Sequence, residues 1–108
     1  MSFKNISGNE FKQGMTENPN AVVLDVRSPQ EFMSGCIEGA ENVNIFNPGF
    51  FDTIESLDKT KAYYIYCRSG NRSAQACHIM GQMGFQELYN LDMGLFDWNE
   101  KLVYPVMG

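Results

Sequence analysis

The sequence predicts an α/β fold: a central, mostly parallel sheet of about five strands with helices on both faces. Three observations carry that expectation. Two short, near-continuous apolar runs, residues 21–26 (AVVLDV) and 62–67 (AYYIYC), are rich in β-branched or aromatic side chains and do not alternate. Strands covered on both faces of a parallel sheet read this way. Helix-start signals fall between the runs, and the alternation of strand and helix persists to the end of the chain.

The elements follow in order. Ser7-Gly8-Asn9-Glu10 is a capping-box pattern that opens a helix through residues 11–15, ahead of the first buried strand at 21–26. Ser28-Pro29-Gln30-Glu31 repeats the pattern with proline at the first helical position and predicts a short helix towards Ser34, Glu31 closing the box. A third strand is expected at 42–45 and a short helix within 47–57. Phe46, Phe50 and Phe51 cluster around Pro48-Gly49, either as core or as an apolar lip. The second buried strand, 62–67, precedes a helix over 72–83 whose Ala76, Met80 and Met83 form one stripe beside Cys77 and which stops at Gly84. A strand at 87–91 and a last helical turn in 95–100 complete the pattern, with Phe96 and Trp98 covering a core edge. In a parallel sheet of this kind the carboxyl ends of the strands, and any active site, share one edge.

Composition narrows the function classes. The chain has 108 residues, 44% of them hydrophobic, with no repeat or linker, so residues 1–108 are expected to form a single domain. A net charge of −5, from 8 Lys+Arg against 13 Asp+Glu, argues against nucleic acid or an anionic membrane as partner. No apolar run is long enough for a spanning helix, and the first residues lack the apolar core of a signal peptide, so a cytoplasmic location is expected. Three irregularly spaced cysteines, Cys36, Cys67 and Cys77, fit a reducing compartment better than a disulfide scaffold. The single histidine, His78, leaves little for a zinc site, and no metal is expected.

The chemistry concentrates in Cys67-Arg68-Ser69-Gly70-Asn71-Arg72-Ser73. A buried strand ends at a cysteine, a polar loop with glycine follows, and a helix begins at its far end. Backbone N–H groups of such a loop form an anion-binding concavity. A helix N-terminus and neighbouring guanidinium groups lower a cysteine pKa from about 8.5 to roughly 3.5–7.5, so Cys67 is predicted to be a thiolate nucleophile. All three arginines of the chain, Arg27, Arg68 and Arg72, lie in two motif-like stretches, and arginine binds oxyanions with a fork that lysine lacks. The acidic chain is therefore expected to keep a locally cationic pocket.

This loop resembles the active-site loop of single-domain rhodaneses, the thiosulfate sulfurtransferase family. Residues 24–32 (LDVRSPQEF) and 35–43 (GCIEGAENV) resemble that family's N-terminal signature, and Leu91-Asp92-Met93-Gly94 with Trp98 its C-terminal segment. The resemblance spans residues 6–105. It implies a rhodanese-like fold and a Cys67 persulfide formed from thiosulfate or a similar small sulfur donor. Arg68, Ser69, Gly70, Asn71, Arg72 and Ser73 would bind substrate, Arg72 and Arg68 on its sulfonate. Cyanide, a thiol or a protein would be the acceptor, and no cofactor is implied. Asp25 and Arg27 would support the architecture by ion pairing. Where the family usually carries histidine, this chain has Cys36, expected as a buried packing residue or a second, resolving thiol; Cys77 is expected in the core. Cysteine-type phosphatases space the nucleophile and the second arginine one position further apart, which disfavours a phosphatase or arsenate reductase. A sulfur carrier or interaction domain serving a partner protein is the main alternative.

Overall fold

The structure, a computed structural model, describes residues 2–105. Along the chain these form β1 (Lys4–Ile6), α1 (Gly8–Glu17), β2 (Ala21–Asp25), α2 (Pro29–Met33), β3 (Glu41–Asn42), α3 (Phe50–Glu55), β4 (Ala62–Tyr66), α4 (Asn71–Gln82) and β5 (Glu87–Leu91), closing with a 3-10 turn at Gly94–Asp97. The five strands make one sheet in the order β1-β5-β4-β2-β3, every pair parallel.

The buried run in the middle of the chain becomes the middle of the sheet. All five residues of β4 are buried, because β2 and β5 flank it and helices cover both of its faces. Alternate side chains part to opposite sides, as the pleat requires. Tyr63, Ile65 and Cys67 join Phe50 and Ile54 of α3 and Ala76, Cys77 and Met80 of α4 on one face. Ala62, Tyr64 and Tyr66 join Phe11 of α1 on the other, where Leu95 and Trp98 pack against them. Phe11 has no exposed surface and stands edge-on to Tyr64, Tyr66 and Trp98, with ring centroids 5.5, 6.2 and 5.9 Å away.

Both predicted capping boxes are closed. Ser7 with Glu10 starts α1, and Ser28 with Glu31 starts α2, with Pro29 at its first turn. Gly84 lies just past α4 in a left-handed conformation that stops the helix. Two expectations are corrected, one strand is new, and the open placement of the phenylalanines is resolved. β1 was not foreseen as a strand; it is three residues long, pairs only with β5, and buries little. β3 spans Glu41–Asn42 rather than 42–45; beyond it Val43 N–H still bonds the Asp25 carbonyl at 2.8 Å and Ile45 N–H that of Val26 at 3.1 Å, but β2 ends at Asp25 and the ladder stops there. The last helical turn is a 3-10 turn at Gly94–Asp97, and Phe96 does not cover the core but stands 69% exposed. The phenylalanine cluster divides, Phe50 entering the core while Phe46 and Phe51 stay exposed. Cys77 lies in the core and His78 is exposed. No helix among the described residues is long and apolar enough to cross a membrane.

With all strands parallel, the segments after β2, β4 and β5 emerge at one edge, which brings residues 25–27, 67–70 and 92–94 together. Phe11 anchors the face beneath that edge. Phe11→Ala should lower the unfolding free energy in urea by about 3–5 kcal/mol with little change in slope. A loss below about 1 kcal/mol would show that the aromatic cluster is not what holds α1 to the sheet.

Candidate active site

Cys67 follows the last residue of β4 and is fully buried. The chain then turns through Gly70, whose φ of 94° lies in the left-handed region, and enters α4. Glycine is required there twice over. A side chain would be strained at that φ, and a Cβ would collide with the backbone oxygen of Asp92. Gly94 mirrors the constraint, since a Cβ on it would collide with the carbonyl of Arg68. Leu95 donates its N–H to that same carbonyl at 2.9 Å, so the segment after β5 braces the loop.

The turn wraps donors around the sulfur. Gly70 N–H lies 3.1 Å from Cys67 Sγ, and the N–H and hydroxyl of Ser73 each lie 3.4 Å from it. Burial by itself pushes the thiol up, but the Ser73 hydroxyl and the N–H groups of Ser73, Ser69 and Gly70 outweigh it. The net shift of the Cys67 pKa is downward, in favour of the thiolate. The largest stabilising contributions therefore come from neutral dipoles at a helix start, with a weaker attraction between the thiolate and the Arg72 guanidinium.

Arg27 pairs as the sequence suggested, while Arg72 makes a bond that the sequence did not foretell. Arg72 sends both terminal nitrogens to Glu31, at 2.7 and 3.0 Å, and is not among the direct donors to the sulfur. Glu31 does more than close its capping box: the Arg72 bond brings its carboxyl down to about 2, against the cost of partial burial and with help from Ser28. Arg27 is locked on Asp25 through Nε and Nη2, the shortest contact being 2.6 Å, and Nη2 also donates to the Gly35 carbonyl. Arg68 is exposed and lies over the Phe96 ring, 5.7 Å from its centroid, with no carboxylate partner among the described residues. Arg68 and Phe96 line a cleft of about 330 Å³ with Arg27, Glu31, Ser34 and Leu95. Of the remaining loop residues, Gly70 and Ser73 are buried at the sulfur, while Ser69 and Asn71 are exposed.

Asp25 and Arg27 form the buried pair that the sequence suggested, at 0% and 4% exposure. Two further side chains complete it. Tyr66 donates its hydroxyl to Asp25 at 2.7 Å and accepts the N–H of Ile37 at 2.9 Å; burial and the adjacent charge keep its phenol protonated. Asn42 donates to the carbonyls of Asp25 and Arg27. Tyr66 carried a signal in the sequence, since a phenol inside a fully buried strand needs a polar partner. Glu31 and Asn42 carried none, being ordinary polar residues whose partners lie far away in sequence. Cys36 is buried, its thiol pushed up by burial and then by Asp25, as suits a packing residue. Cys77 is inert, pushed up to about 12 by burial. Among the described residues no group of three or more His, Cys, Asp and Glu side chains is placed to hold a metal ion.

Ser73 supplies two of the sulfur's donors, and its hydroxyl is the removable one. In Ser73→Ala, the pH midpoint for alkylation of Cys67 by iodoacetamide should move up. The rate near neutrality should fall about tenfold, the worth of a charge-assisted hydrogen bond of about 1.5 kcal/mol. An unchanged profile would assign the depressed thiol to the backbone alone.

Comparison with known proteins agrees with this geometry. The rhodanese-like domain model matches residues 7–101. The chain is 34% identical over 99 residues to thiosulfate sulfurtransferase GlpE of Shewanella oneidensis, covering 92% of this chain and 95% of that protein. It is 31% identical over 98 residues to the putative sulfurtransferase YtwF of Bacillus subtilis, covering 91% and 92%. The crystal structure of a rhodanese-like domain protein from Staphylococcus aureus superposes with a TM-score of 0.83 at 28% identity, covering 96% of this chain and all of that one. Sequence, topology and the cysteine loop lead to one conclusion: this chain belongs to the rhodanese-like domain family.

Proposed function

We infer that the protein is a sulfurtransferase that takes the outer sulfur from thiosulfate, or a similar small donor, onto Cys67 and passes it to a thiophilic acceptor. The observation that carries this reading is the ring of donors on Cys67 Sγ from Gly70 N–H, Ser73 N–H and Ser73 Oγ–H. A ring that stabilises the thiolate suits the anionic outer sulfur of a persulfide equally well.

The Cys67 thiolate attacks the outer sulfur of thiosulfate. A bond forms between Sγ and that sulfur, the bond from it to the sulfonate breaks, and sulfite leaves with the electron pair. Cys67 is then a persulfide anion. A cyanide or thiolate acceptor attacks the outer sulfur, the Sγ–S bond breaks, and thiocyanate or an organic persulfide departs as the thiolate is restored. Electrons and atoms balance with neither a metal nor an organic cofactor. Cys67 has no exposed surface, so the donor's approach requires movement of the side chains over it, and Arg68, Ser69 and Asn71 are the exposed members of the loop.

Arg68 is the cation available to an anionic donor, because Arg27 and Arg72 already satisfy Asp25 and Glu31. Arg72 keeps a supporting part at the donor's sulfonate, oriented by its clamp on Glu31. Met93 and Phe96, 56% and 69% exposed, lie in the segment that braces the loop, and apolar side chains there suit a protein acceptor as well as a small thiol. A reactive thiol with two buried free thiols fits a reducing compartment, in our reading the cytoplasm.

Incubation with thiosulfate should add one sulfur atom to the intact mass of the wild type. Cyanide should remove it as thiocyanate, and Cys67→Ser should gain none. Failure of the wild type to gain sulfur from thiosulfate or polysulfide, with Cys67-dependent turnover of an aryl phosphate, would replace this reading with a phosphatase. Arg68→Ala should raise KM for thiosulfate about tenfold, as loss of a charge-assisted contact does, with a smaller change in kcat. An unchanged KM would remove Arg68 from the donor site.

A further inference from the structure

Asn90 is a polar residue in an apolar place. It lies on β5 between Ile65 of β4 and Asn5 of β1, and is 1% exposed. Its Nδ2 donates to Asn5 Oδ1 at 2.9 Å and to the Gly70 carbonyl at 3.3 Å. Gly70 O can only accept, which fixes which way round the Asn90 amide stands. Its Oδ1 has no partner among the described residues. A buried orphan acceptor destabilises a fold, and an apolar side chain of similar size would avoid that cost. The Nδ2 contacts are what distinguish Asn90 from such a side chain, and one of them reaches the active-site loop.

We propose that Asn90 is a positioning residue for sulfur transfer, holding the Gly70–Asn71 peptide so that the loop's N–H groups stay aimed at the Cys67 sulfur and at the sulfur it carries. Gly70 O accepts from two directions, from Ala74 N–H in the first turn of α4 at 3.1 Å and from Asn90. In a planar trans peptide, fixing that carbonyl also fixes the Asn71 N–H, which points the opposite way, out of the helix start. The N–H groups of Asn71 and Arg72 have no acceptor among the described residues, so they are free to receive the outer sulfur. On the other side of the same residue, Gly70 N–H already touches Sγ. Glycine's backbone is the least self-restrained of all, so its orientation must be held from outside. Asp92 packs against Gly70 from the strand end, and Asn90 supplies a directional tie.

The inference rests on Cys67 being the sulfur carrier, and its test reads the thiolate directly. In the full-length protein, Asn90→Leu should slow iodoacetamide alkylation of Cys67 near pH 7 by about threefold to tenfold and move its pH midpoint upward. Asn5→Ala, which removes only the outer partner, should give a smaller change in the same direction. A folded Asn90→Leu with the wild-type alkylation profile would overturn the proposal. Should that variant fail to fold, the wild type itself decides. The side-chain amide signals of Asn90 should titrate with the same midpoint as Cys67 alkylation, and signals flat through that range would overturn it equally. Loss of sulfur uptake from thiosulfate by the wild type, with these alkylation results intact, would sink the sulfurtransferase reading while leaving Asn90 as the residue that orders the thiolate loop.

Discussion

The carboxyl edge of the sheet hangs on one buried carboxylate. Asp25 has no exposed surface and accepts from Arg27 N–H, Arg27 Nε and Nη2, and the Tyr66 hydroxyl. Withdrawing a carboxylate and a guanidinium from water costs several kcal/mol for each ion, so the pair adds little net stability over apolar residues of the same shape. What it adds is placement. Tyr66 is the residue before Cys67, and its hydroxyl also receives Ile37 N–H, while Arg27 holds the Gly35 carbonyl and Asn42 holds the carbonyls of Asp25 and Arg27. Three stretches of chain, residues 25–27, residues 35–37 and Asn42, are thereby tied to the end of β4 from which the nucleophile projects. The buried Cys36 lies in one of them, and its protonated thiol adds no charge to the knot.

The same economy of charge governs the sulfur. A net charge of −5 would ordinarily disfavour an anionic donor, and the three arginines looked like the remedy. Two of them are already neutralised, Arg27 by Asp25 and Arg72 by Glu31. The thiolate is held instead by N–H and O–H dipoles, which carry no net charge and remain attached to the sulfur wherever the acceptor stands. This division suits a site that must hold a negative sulfur and then release it. On the sulfurtransferase reading proposed above, a guanidinium bound directly to the persulfide would stabilise it against transfer, whereas Arg68, exposed and out at Phe96, would act on the donor.

What the sequence disclosed follows from how local each signal is. The capping boxes at Ser7 and Ser28 involve partners three residues apart and were legible in full. The two double-sided strands and the strand–cysteine–glycine–helix loop were equally local, and Cys67, Gly70 and Ser73 meet as expected. β1 escaped because its three residues bury little and are held by backbone pairing, which leaves no periodicity. The Arg72–Glu31 bond spans 41 residues and exists only once α2 and α4 are packed, so the sequence assigned the whole of Arg72 to substrate. Phe96 misled for a related reason: an aromatic beside Trp98 reads as core, but the 3-10 turn directs only Trp98 inward, against Phe11.

The motif downstream of β5 makes sense only in three dimensions. Residues 91–94 lie more than twenty positions beyond Cys67, yet the Asp92 carbonyl packs where a Gly70 Cβ would be, and Gly94 passes flush against the Arg68 carbonyl. Each glycine is required by the backbone of the other segment, so neither could be replaced without moving the other strand end. The loop that carries the nucleophile is therefore clamped between β5 below and the Asp25 knot beside it, and its geometry is a property of the whole sheet edge. That explains how 108 residues hold an anion-stabilising site. The donors come from one turn, its backbone N–H groups and the Ser73 hydroxyl, and the remaining motifs exist to keep that turn from relaxing.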